Sequence, residues 1–109
     1  MMLFTLRITS FPTRRHDVLR ALRTLAGVTG SRRGCLFADV LVDIDNPNEI
    51  TWTEEWESEK DLSRHIASDE YRKLLAVMDM SMSRPEIRFH TVTQTAGMEF
   101  IAAKRESPG

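Results

Sequence analysis

Thiol chemistry is nearly missing from this 109-residue chain: Cys35 is its only cysteine. One thiol permits no internal disulfide and no thiolate metal cluster, and no cysteine or histidine grouping has metal-ligand spacing. No apolar run approaches the roughly 20 residues needed to span a bilayer, so no membrane partner is expected. The opening MMLFTLRITS is too short and wrongly flanked for a secretory signal, and the expected compartment is the cytoplasm. A surplus of charge is also lacking: the formal net charge is −1, which gives no global attraction for a polyanion. Aromatic residues make up only 7% of the chain, and both tryptophans fall in one short stretch.

What is present is ordinary globular composition, 41% hydrophobic and 28% charged, enough for one domain with a real core. Charge is uneven along it. Residues 7–33 hold seven arginines against Asp17, and residues 39–61 hold nine carboxylates against Lys60. Either the arginines form an anion-binding face or the two segments are solvated surfaces, the more ordinary outcome. Nucleic-acid binding is not expected, because the arginines are not interleaved with aromatics and the acidic middle repels phosphate.

Residues 2–9 (MLFTLRIT) read as a first strand, with Leu6 and Ile8 alternating against Thr5 and Arg7. Pro12 breaks it, and Thr13 is a candidate helix cap. From Arg14 the period changes. Val18, Leu22, Leu25, Ala26 and Thr29 share one helical face, and the segment closes at Gly34. Residues 35–43 (CLFADVLVD) read as a second strand. Leu36, Ala38, Val40 and Val42 line one face, and both faces are largely apolar. The run Asp45-Asn46-Pro47-Asn48 is a turn.

The richest stretch is residues 49–75, EITWTEEWESEKDLSRHIASDEYRKLL. Alternation puts Ile50, Trp52, Glu54 and Trp56 on one face of a third strand. Ser58 through Asp61 reads as a capping box, after which Leu62 and Ile66 face inward with His65 at the edge of the stripe. Ser68 caps a second helical piece whose inward face is Tyr71, Leu74, Leu75, Met78 and Met82. Pro85 stops it. Ile87, Phe89 and Thr91 then alternate with Arg88, His90 and Val92 in a fourth strand. After Gly97, the apolar run Met98 to Ala103 is expected as an extra strand. A domain over 1–103 and a flexible tail over 104–109 follow.

The order is β-α-β-β-α-β, an α+β ferredoxin-like arrangement with an antiparallel sheet. One layer of helices covers one face of such a sheet. The apolar second strand asks for cover on the other, and a second copy supplies it, so a homodimer through the sheet face is expected.

At this point the chain resembles the antibiotic biosynthesis monooxygenase (ABM) family of the dimeric α/β barrel group. The carriers are Gly34-Cys35-Leu36, Asp45-Asn46-Pro47, Glu54-Glu55-Trp56-Glu57-Ser58, Leu62 with His65, Ser68, Tyr71 and Gly97-Met98. For its quinone-forming members the resemblance implies oxygenation with no metal, flavin or haem. A small phenolic or quinol-type aromatic loses a proton, passes an electron to O₂ and ends as a quinone. The protein need only bind a flat ring, favour its anion and exclude water.

The residues suit those tasks, each with a plainer role beside it. Trp56 and Trp52 can stack on an aromatic or simply anchor the core. Glu54 between them, costly unless bonded, can move a proton, or pair with an arginine or a helix end. His65 can be the general base at a cavity mouth or a boundary histidine, with Asp61 and Asp69 one turn away on either side. Tyr71 can orient a substrate hydroxyl or bond to backbone. Met78 can soften a pocket or fill the core, and His90 is the second candidate base. A haem-degrading reading implies an Asn on the first strand and a His late in the second helical region. Here Thr5 and Arg7 stand at the strand positions, and YRKLLAVMDMSM contains no histidine. A non-catalytic small-molecule-binding dimer is the remaining alternative.

Overall fold

The computed structural model describes residues 1–106. Its four strands and four α-helices run in the order β1 (Met2–Thr9), α1 (Arg15–Gly30), β2 (Cys35–Val42), β3 (Glu49–Trp56), α2 (Glu59–Ile66), α3 (Asp69–Met78), β4 (Glu86–Thr91) and α4 (Met98–Glu106). The strands form one antiparallel sheet in the order β2-β3-β1-β4, the expected ferredoxin-like topology.

Register decides which side chains meet. Phe4 lies opposite both Glu54 and Phe89, and Leu6 opposite both Trp52 and Ile87. These residues and Ile50 point to the side on which α1 and α3 pack. There Phe4, Leu6, Ile8, Val18, Leu22, Leu25, Ile50, Trp52, Tyr71, Leu74, Val77 and Met78 make one buried cluster. The α1 face follows the period read from the sequence, with Val18, Leu22, Leu25 and Thr29 buried.

Four local expectations are corrected. Thr13 caps nothing: a short 3-10 turn, Pro12–Arg14, leads into α1, whose first turn has no side-chain cap. A bulge between Cys35 and Phe37 shifts the start of β2, so Cys35 lies opposite Trp56 and Leu36 is left out, about half exposed. In α2 it is His65 that is buried, while Ile66 is 39% exposed; Leu75 and Met82 also face outward, and Val77 takes the inward place. The run from Met98 is a helix, not a strand. Glu99 Oε1 accepts the Gly97 N–H at 2.8 Å, and Lys104 and Arg105 complement the helix's C-terminal end. Good helix formers (Ala102, Ala103, Lys104, Arg105, Glu106) outvote the β-friendly pair Phe100-Ile101. This helix buries none of its residues. Of the expected tail, residues 104–106 continue α4, and residues 107–109 lie outside the described part.

The joints around α2 are tightly specified. Ser58 Oγ accepts the Asp61 N–H at 3.1 Å and donates to Asp61 Oδ2 at 2.9 Å, and Ser68 Oγ accepts the Tyr71 N–H at 3.4 Å. Gly34 adopts φ +83°, and a Cβ there would lie 2.3 Å from the Asp61 carboxyl carbon. Glycine thus lets the loop before β2 close against the start of α2.

Candidate functional site

The side chains of the covered face are not all apolar. Glu54, fully buried, stands between the two indoles on β3. Its Oε2 accepts the Trp52 Nε1–H at 2.6 Å and its Oε1 accepts the Trp56 Nε1–H at 2.8 Å. The sequence left this carboxylate to an arginine or a helix end; two positions away on either side, the indole N–H groups satisfy it instead. Burial pushes its carboxyl above the usual range, outweighing the two indole donors and His65, which favour the anion.

Helix α2 delivers His65 onto this arrangement. Its Nε2 is 3.9 Å from Glu54 Oε2 and its Nδ1 is 3.5 Å from Glu70 Oε2. The imidazole leans on Trp56 with ring centroids 4.8 Å apart, and Tyr71 meets it edge-on at 5.5 Å. The two acids expected beside His65 are occupied elsewhere. Asp61 bonds Ser58 and Arg64, and Asp69 pairs with Arg72 at 3.9 Å.

Glu70 and Arg32 were not legible as site residues. Arg32 Nε donates to Glu70 Oε2 and a terminal guanidinium nitrogen donates to Oε1, both at 3.2 Å. The bond and the charge of Glu70 hold the Arg32 guanidinium above its ordinary value. Thirty-eight residues separate the partners, so no helical or strand period announces the pair.

The grouping opens on one side. A cavity of about 560 Å³ lies among the loop after α1, the end of β3 and the facing ends of α2 and α3, with Trp56, His65, Glu70 and Arg32 among its walls. Trp52 and Met78 sit in the apolar core away from it, and Tyr71 supports the His65 ring from behind. Burial and Glu54 push the Tyr71 phenol up to about 12. His90 is not part of the grouping. It lies opposite Leu3 on the other face of the sheet and is exposed.

Chemically, the site offers an indole wall, an imidazole with a carboxylate beyond each nitrogen, and a second indole held in place by the buried carboxylate. Among the described residues no three His, Cys, Asp or Glu side chains converge as a metal-holding group.

The family model for antibiotic biosynthesis monooxygenase matches residues 1–77. The chain belongs to the ABM family. That membership carries the general character of a small monooxygenase-type protein. Solved structures agree on the fold. The candidate antibiotic biosynthesis monooxygenase of Deinococcus radiodurans superposes with a TM-score of 0.81 at 17% identity, over 90% of this chain and 98% of its own. A further structure named antibiotic biosynthesis monooxygenase gives 0.76 at 21% identity, over 86% of this chain and all of its own. Rv0793 of Mycobacterium tuberculosis gives 0.78 at 18% identity, over 88% and 98%. A search of curated proteins finds no match. At such identities the likeness speaks for this ABM domain's scaffold, and its chemistry rests on its own residues.

Proposed function

We propose that this ABM protein is a cofactor-independent monooxygenase that oxidises a phenolic or quinol-type aromatic with O₂ to a quinone. The observation that carries the reading is the meeting of Trp56 and His65 at the wall of a single cavity, with Glu54 buried behind them. A flat ring enters the cavity beside Trp56, whose indole is itself buried with the His65 ring against it. His65 accepts its hydroxyl proton. The phenolate passes one electron to O₂, and the phenoxyl radical and superoxide join at a ring carbon para to the oxygen. The peroxide takes back the proton from His65. The O–O bond then breaks, the hydrogen on that carbon leaves as a proton, and water departs. The sum is phenol plus O₂ to quinone plus water. In this scheme Trp52 and Glu54 hold the Trp56 wall, Tyr71 braces the base and Met78 packs in the core away from the ring. His90 stands apart from it.

The protein works as a homodimer through the open sheet face. That face carries Leu3, Phe37 and Leu41 beside Thr5, Thr51 and Thr53, and Phe37 and Leu41 are 41% and 53% exposed. Light scattering at micromolar concentration is expected to give about twice the chain mass.

The deciding experiment is oxygen uptake by chelator-treated protein over a panel of naphthols and anthrones, with ¹⁸O₂ followed into the product. Saturable uptake with one ¹⁸O per quinone, lost in folded Trp56→Ala and His65→Ala, supports the reading. Uptake at the autoxidation rate across the panel turns the reading to a non-catalytic small-molecule-binding dimer.

A further inference from the structure

We propose that Glu70, clamped by Arg32, is a positioning residue that fixes the tautomer of His65. The ring has two nitrogens and a carboxylate beyond each, but the two sides are unequal. On the inner side Glu54 Oε2 stands 3.9 Å from Nε2, beyond hydrogen-bond reach. On the outer side Glu70 Oε2 stands 3.5 Å from Nδ1. Glu70 cannot swing away freely, because Arg32 holds both of its oxygens in a two-pronged pair. A fixed carboxylate beside Nδ1 keeps the hydrogen there and leaves the lone pair on Nε2. Nε2 is then the basic nitrogen, on the side of the buried Glu54.

The other polar groups near the ring do not compete. Tyr71 meets it edge-on through its aromatic body, and Asp61 and Arg64 are spent on each other at 3.0 Å. Arg32 is more than half exposed while Glu70 is nearly covered, so the clamp lies at the protein surface with its acidic end turned inward.

The kinetic consequence rests on the oxygenase reading; the tautomer does not. The test is therefore read first by NMR. Long-range ¹H–¹⁵N correlation spectra of the full chain distinguish the two neutral tautomers and the cation, and His65→Gln assigns the signals. The expected result is the Nδ1–H form in the parent protein. Glu70→Gln and Arg32→Ala are expected to shift His65 toward the Nε2–H form, with Glu70→Asp restoring part of the parent pattern. An Nε2–H or doubly protonated ring in the parent, or a tautomer ratio unchanged from the parent in both variants, overturns the proposal. If the parent also turns over a phenol, Glu70→Gln is expected to lower kcat roughly tenfold with KM little changed. An inactive parent with the expected tautomer shift refutes the oxygenase alone, and an active parent with an unmoved tautomer refutes the clamp alone.

Discussion

Two glutamates on one strand show how position decides what a carboxylate does. Glu49 and Glu54 both belong to β3, five residues apart, and alternation sends them to opposite faces of the sheet. On the open face Glu49 takes bonds from Thr9 and Arg7, and these hold its carboxyl below the usual range. On the covered face Glu54 takes two indole bonds, yet burial pushes its carboxyl up. Both are hydrogen-bonded. Only one has lost its water, and that difference reverses the direction of the shift. A carboxylate deep in a sheet is costly, and here its surroundings form the wall of a cavity.

The largest expected effect is on the covered side. Glu54→Ala leaves two buried indole N–H groups without an acceptor and is expected to cost about 3–5 kcal/mol in urea unfolding. Glu49→Ala is expected to cost several-fold less, since its partner Arg7 is half exposed. Equal losses would break the comparison. Next comes Gly34→Ala, which forces a side chain into a left-handed backbone against Asp61. It is expected to cost about 2 kcal/mol or more by the same measurement.

The pH dependence sharpens the contrast because the signs oppose. Native Glu54 holds its proton more tightly than the unfolded chain does. Its contribution is therefore present at low pH and is lost as pH rises from about 4.3, the free glutamate value, through its raised native value. Glu49 does the reverse: its contribution is present above about 4.3 and is lost as pH falls through its lowered native value. Urea midpoints from pH 3 to 8 are expected to lose the upper-limb decline in Glu54→Gln and part of the acid-limb decline in Glu49→Gln. A variant that removes the opposite limb would reverse the assignment.

The smallest effect concerns Cys35, whose thiol burial and Glu54 push up to about 11. Reaction with a disulfide reagent at pH 8 is expected to be slow and to quicken only severalfold in Glu54→Gln. An unchanged rate would confine the influence of Glu54 to the groups it bonds.

Much of this was legible from residue order. The strand period placed Trp52, Glu54 and Trp56 together, and Ser58 and Ser68 marked the two helix starts, because those signals act over two to four residues. What escaped acts across distance or by a small change of phase. The choice between His65 and Ile66 turns on which of two adjacent positions meets β3, and a Glu54 on that strand tips it toward the imidazole. The bulge at Leu36 adds one residue that no alternation can show. Arg32 and Glu70 meet only through the fold. In the last segment, the local vote of Phe100 and Ile101 for a strand lost to the alanines and charged residues after them.

One further consequence follows from the carboxylate between the indoles. The chain contains two tryptophans, and both give their N–H to Glu54. All of its indole fluorescence therefore originates around Glu54, from Trp56 at the cavity wall and Trp52 in the core behind it. Emission wavelength and lifetime would report on this one place, with no background from elsewhere in the chain. A bound quinone would quench that light by accepting an electron from the excited ring, so the protein carries its own optical gauge of occupancy.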